Sequence, residues 1–276
     1  IPSLKFELAE MVRLDQTREV LSKSWSGVDR HFRRDKDLGG QLSYSKYFKR
    51  NMPESILSIP DDLERAKAVY YFVQDKIKWN KRSGFMHDVN VREAFKNGVG
   101  NGSEINLTLI NALEAAGLDA KAMAIATRDS PLPTKQHPVI TDFNYAIVFV
   151  TINNQKYFLD ATEEHSQFGV LPIRALNLEG RVLDFKNGSY WEPIVSFERN
   201  MHYINMQLET DSQGVFSGKI KEMSTGQIAL PTRRENSLLS HQEITKAKQS
   251  ANEGFDISEY QIENAEELEQ AYTESY

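Results

Sequence analysis

The chain has 276 residues, 40% of them hydrophobic and 26% charged, with a formal net charge of −6 and no cysteine. This is the balance of an ordinary globular protein, long enough for one sizeable core or for a core with a smaller satellite. The missing thiols exclude disulfides, thiolate catalysis and Cys-ligated zinc. The absence of a basic stripe argues against nucleic acid, and no apolar run is long enough to cross a bilayer.

Residues 1–14 (IPSLKFELAEMVRL) alternate weakly behind Pro2, as a strand or linker would. Ser24 or Ser26 can cap a short helix through Phe32. Gly39-Gly40 breaks the chain, and a second short helix is expected over 43–52, before Pro53. The clearest helix signal is 61–79, where Leu63, Ala66, Tyr70, Val73 and Ile77 recur at spacings of three and four behind Asp61-Asp62. Residues 91–95 read as a short helix that delivers the chain into a glycine turn at 98–102.

The stretch VGNGSEINLTLINAL (99–113) comes next. Ile105, Leu107, Leu109, Ile110, Leu113 and Ala116 leave no polar face, which marks a core helix. Ser103 sits where an N-cap belongs, Glu104 supplies an acid to the first turn, and Gly117 fits the left-handed residue past the helix end. A buried helix emerging from such a turn is a natural seat for a nucleophile, because its dipole stabilises a developing anion. Asn101 and Asn106 read as turn and helix-packing residues.

Strands follow. Residues 121–127 are a short apolar run, and Pro131, Pro133 and Pro138 mark a loop. Residues 143–152 and 156–159 flank Asn153-Asn154-Gln155, a hairpin signature. Helices first and antiparallel strands afterwards predict an α+β fold. From Trp191 the composition becomes more polar. A second hairpin is expected from 202–209 and 215–222 around Asp211-Ser212-Gln213-Gly214, and Pro231 is expected to open a polar helix reaching about Ala251. The acid-rich run 263–269 reads as a solvated face. The expected organisation is a linker and helical lead-in at 1–54, a core at 55–190 and a smaller β-rich, partly helical domain at 191–276. Further domains of the same polypeptide are expected beyond both ends.

In order, the helix 63–77, the turn GVGNGSEINLTLINALEAAGLDAKAM, the strand FNYAIVFV and the strand end YFLDAT resemble the transglutaminase-like superfamily, whose members share the papain-like cysteine-protease fold. The resemblance spans roughly residues 55–176 and is nearest to large exported proteins of Bacteroidetes-type bacteria. It implies N-terminal helices, a buried central helix, an antiparallel sheet, and a location in the periplasm or at the cell surface. The family's catalytic cysteine stands at the start of the central helix, two positions before an acid; with Glu104 as that acid, its place is taken by Gly102. The family's histidine lies in the next long strand, at Tyr145 within FNYAIV. Its aspartate ends the following strand, at Asp160 within LDAT. One member of three survives.

In such a triad the thiolate attacks, the imidazole moves the proton and the carboxylate fixes the imidazole. Glycine has nothing to attack with, and a tyrosine of ordinary pKa, about 10, is a poor base at neutral pH. Ser103 is the alternative nucleophile. It is turned by about 100° around the helix from position 102, and a serine also needs a base. Asp160 then reads as a relic or as a hydrogen-bond anchor for Tyr145, and less as a working catalyst. Two functions compete: a catalytically inactive binding or structural module for a peptide, protein or glycan ligand, and a hydrolase or acyltransferase using Ser103 with Tyr145 and Asp160. No cofactor and no metal is expected. His137, Asp142, Glu163, Glu164 and His165 match no compact ligand spacing and read as a solvated loop. Tyr70, Tyr71, Trp79, Phe85 and Phe95 read mostly as core, with Trp79 or Phe85 able to line a cleft.

Overall fold

A computed structural model describes residues 10–20, 24–195 and 199–276, so most of the expected opening strand lies outside the described residues. The hairpin of β1 (Glu10–Val12) and β2 (Arg18–Val20) comes first. Ser24 caps α1 (Trp25–Arg34) by accepting from the Gly27 N–H, and Val28 and Phe32 form its buried stripe. Short helices α2 (Ser45–Asn51) and α3 (Glu54–Leu57) lead to α4 (Asp62–Lys76), whose cap Asp61 accepts from both Leu63 and Glu64. The chain then forms β3 (Lys78–Trp79), α5 (Val91–Asn97) and β4 (Val99–Gly100), which pairs parallel with β3.

The central helix α6 (Gly102–Ala115) is buried at every position from Ile105 to Leu113. It packs against α2, α4 and α5 on one side and against the sheet on the other. That sheet contains β5 (Ala120–Ile125), β6 (Tyr145–Ile152), β7 (Gln155–Leu159), β8 (Glu179–Val182) and β9 (Tyr190–Pro193), in the order β7-β6-β5-β8-β9 and antiparallel throughout. The fold class is α+β. Asn153 and Asn154, at φ 51° and 64°, make a two-residue turn, so Gln155 begins β7 instead of extending the loop.

The chain divides into two compact units, residues 1–164 with 171–195, and residues 165–170 with 196–276. Two expected boundaries differ from this. The described part of the helical lead-in belongs to the first unit's core: the Tyr44 N–H donates to Asn111 Oδ1 of α6 at 2.7 Å, and Arg181 of β8 holds Asp29 of α1 bidentately at 2.8 and 2.7 Å. Trp191, expected to open the C-terminal domain, sits opposite Arg181 on β9 in the same sheet.

In the second unit, β10 (His202–Thr210), β11 (Phe216–Ser224), β12 (Gln261–Glu263) and β13 (Tyr272–Ser275) form an antiparallel sheet in the order β10-β11-β13-β12. The single helix expected from Pro231 to Ala251 is two. α7 (Gly226–Asn236) carries Pro231 inside it, and α8 (His241–Ala251) starts afresh at a capping box of Ser240 with Glu243. Buried Arg233 of α7 donates to the Asn264, Ala265 and Gln270 carbonyls and so holds the acid-rich loop by its backbone.

Candidate functional site

The site begins with how α6 starts. Asn101 is extended (φ −81°, ψ 173°), its Oδ1 accepts the Glu104 N–H at 2.9 Å, and Glu104 Oε2 accepts the Asn101 N–H at 2.7 Å. The cap is therefore Asn101, not Ser103, because residue 103 already lies within the helix. The loop before α5 runs across this end: Gly102 N donates to the Arg82 carbonyl at 2.8 Å and Ser103 N to the Ser83 carbonyl at 2.9 Å. Gly84 makes that approach possible, since a Cβ there would fall 2.2 Å from the Asn101 side chain. All four N–H groups that a helix start leaves open are thus taken, and none is free to hold an anion. The Ser103 Oγ is buried and has no hydrogen-bond partner.

Gly102, Tyr145 and Asp160 meet here. Tyr145 opens β6, directly across the sheet from Ile125, and points its ring at the first turn of α6. A Cβ on Gly102 would lie 2.7 Å from Tyr145 Cε2 and 3.0 Å from its hydroxyl, so the ring fills the space that any side chain at 102 would need. Tyr145 is 1% exposed and Asp160 fully buried. The Tyr145 hydroxyl donates to Asp160 Oδ2 at 2.9 Å. Asp160 Oδ1 accepts from Asn106 Nδ2 at 3.1 Å and from Thr162 N and Oγ1 at 3.1 and 2.7 Å. Asn106 also donates to the Ala146 carbonyl and accepts the Ala161 N–H, which ties α6 to the ends of β6 and β7.

Arg174 completes the cluster. Its guanidinium donates to Glu163 Oε1 at 2.7 Å and to Thr162 Oγ1, and lies 3.6 Å from Asp160 Oδ2. It stacks 4.2 Å from the Trp79 ring centre and 5.6 Å from that of Tyr145. Burial, and then the Asp160 charge, push the Tyr145 phenol well above its ordinary pKa, so it stays a neutral donor. For Arg174, burial opposes the charge but Asp160, Tyr145 and Glu163 outweigh it, and its pKa is raised further.

Chemically, the Tyr145 hydroxyl, the Asp160 carboxylate and the Asn106 amide satisfy one another and the neighbouring backbone, whereas Arg174 Nε and Ser103 Oγ are buried without a hydrogen-bond partner. Ser103 Oγ therefore has no base within hydrogen-bonding reach. Glu163 corrects the expectation of a solvated loop: it is buried and paired to Arg174, and Asp142 is buried too. Trp79 is only partly buried and covers Arg174, whereas Phe85 is core, edge-on to Phe32. Sequence reasoning missed Arg174, Thr162 and the bridging role of Asn106. Asn106 could have been found, since four residues past Gly102 it shares that helix face; Arg174 sits in a 3₁₀ turn with no motif around it.

No protein-family model matches the sequence, and no curated protein matches it. Among solved structures, a candidate protease from Parabacteroides distasonis aligns over 69% of this chain and 36% of its own, at 12% identity and a TM-score of 0.41. Arylamine N-acetyltransferase from Nocardia farcinica aligns over 70% of this chain and 62% of its own, at 14% identity and a TM-score of 0.30. The chain thus spans just over a third of the first and less than two thirds of the second.

Proposed function

We propose that the first unit is a transglutaminase-like, papain-like core without the family's covalent chemistry, serving as a structural and binding module of a larger exported protein. The observation that carries this reading is the fit of Tyr145 against Gly102. The ring stands where a nucleophile's side chain would project, and its hydroxyl takes the carboxylate that would otherwise orient a base. Ligand contacts with a peptide, protein or glycan then lie outside the triad positions, since those are buried against one another. The periplasmic or surface location is supported by the resemblance to exported proteins. Among the described residues, no helix is long and apolar enough to cross a membrane.

The test uses Gly102→Cys, Tyr145→His and the double variant, each probed with iodoacetamide under native conditions. The expected result is that wild type cleaves no peptide and transfers no acyl group, that Gly102→Cys alone stays unlabelled while folded, and that the double variant reacts. A wild-type peptidase or acyltransferase activity that disappears in Ser103→Ala would overturn the reading. Nothing in the environment of Ser103 favours the serine-hydrolase alternative, because its hydroxyl contacts no group that could take a proton.

A further inference from the structure

The four-stranded sheet of the second unit carries a groove that the first unit's story does not touch. Side chains alternate between faces along a strand. The register sets Asn205 opposite Lys221, Lys221 opposite Ser275, and Ser275 opposite Gln261, so one polar row crosses all four strands. Gln207 and Lys219 form the neighbouring row. The other face bears Glu222 and Glu274, which bind Lys248 of α8 at 3.0 and 3.2 Å, so that face is the one the helix covers. On the polar face lies an open groove of about 350 Å³.

The groups lining it are available. Among the described residues, the side chains of Gln207, Gln261 and Ser275 make no hydrogen bond and Lys219 has no ion-pair partner, while Lys221 shares its charge with Glu263 at 3.5 Å. A primary amide offers a donor and an acceptor together, which is the pattern that neighbouring hydroxyls of a sugar present in reverse. Two ammonium groups in adjacent rows suit a carboxylate. Glu259, also in the lining, can accept from sugar hydroxyls. Ile220 and Tyr276 also border the groove, but alternation turns the buried Ile220 side chain to the helix-covered face, where the Tyr276 hydroxyl donates to Glu222. The polar row itself therefore carries no apolar anchor of the kind that holds peptides.

We propose that this groove binds a short acidic oligosaccharide, with a uronate-type carboxylate on Lys219 and Lys221 and ring hydroxyls on the amides of Asn205, Gln207 and Gln261. The proposal stands apart from the reading of the first unit, and either can fail alone. The experiment is calorimetric titration of the whole chain with tetragalacturonate, with maltotetraose and tetraglutamate as the neutral and peptide counterparts. The expected result is saturable, salt-weakened binding of tetragalacturonate, with both counterparts weaker by about tenfold or more. Lys219→Gln and Gln207→Ala, both at exposed positions, should each weaken it by about fivefold or more, while Lys46→Gln on α2 leaves it unchanged. Circular dichroism establishes that each variant is folded. No saturation by about 10 mM, equal binding of either counterpart, or equal effects of Lys219→Gln and Lys46→Gln would each overturn the proposal.

Discussion

Glycine at 102 and tyrosine at 145 are two halves of one packing solution. Gly102→Ala places a methyl carbon 2.7 Å from the ring, and an expected loss of about 1–3 kcal/mol follows from overpacking a buried site. In a Tyr145→Leu background the same substitution should cost much less, and urea unfolding of the four proteins in a double-mutant cycle reads the difference directly. Asp160→Asn should be worse than Tyr145→Phe. The carboxylate accepts from Tyr145, Asn106 and twice from Thr162, and an amide there turns one acceptor into a donor facing donors. A loss of about 2–4 kcal/mol is expected for Asp160→Asn, against about 1–2 kcal/mol for Tyr145→Phe, where Arg174 still faces Oδ2. At this scale the sequence marked the three positions but not their fit. Motif spacing says which residue stands where a cysteine or histidine might, and it carries nothing about whether a ring fills the gap.

At the scale of elements, the start of α6 decides between two sequence-compatible caps. Serine and asparagine are both good N-caps, and both Asn101 and Ser103 precede apolar residues. The distinguishing feature is the acid three positions on, present for Asn101 as Glu104 and again for Ser240 as Glu243, where a second helix start went unread. Asn101→Ala should lower stability by about 1–2 kcal/mol, since it removes the cap and the bond from Nδ2 to the Asp88 carbonyl. Ser103→Ala should be neutral or stabilising by up to about 1 kcal/mol, because it deletes a buried hydroxyl that bonds to nothing. Denaturant midpoints in the reverse order would return the cap to Ser103. Long periodic segments such as α4 were legible because one apolar stripe dictates them. The α7–α8 break was not, because Pro231 looks like a first-turn residue and here lies deep within α7.

For the molecule as a whole, the acidic balance and the order of helices before strands were legible, since both are sums over many residues. The expected change of domain at Trp191 was not. A shift toward polar residues reports exposure, and an edge strand such as β9 is exposed on one side while pairing on the other. Alkaline pH probes both units together. Tyr145 is held above its ordinary pKa by burial first and Asp160 second; burial likewise raises Tyr260 and Tyr276, reinforced by hydrogen bonds to Glu274 and Glu222 respectively. Above about pH 10 the unfolded chain releases these protons while the folded chain keeps them, so stability is flat below that point and falls as pH rises through it. Melting temperatures measured from pH 8 to 11 should show the fall, and Tyr145→Phe should fall less steeply despite a lower starting value.

The Gly102–Tyr145 contact also sets which sequences are reachable by single changes. Cysteine at 102 beside tyrosine at 145 has no room for its side chain, and histidine at 145 beside glycine at 102 gives a base with nothing to activate. Each first step toward a working thiol enzyme therefore passes through a state that is either strained or idle. On the proposed triad reading, the unstrained order is to change position 145 before position 102, because only the cysteine needs the space that the tyrosine ring fills.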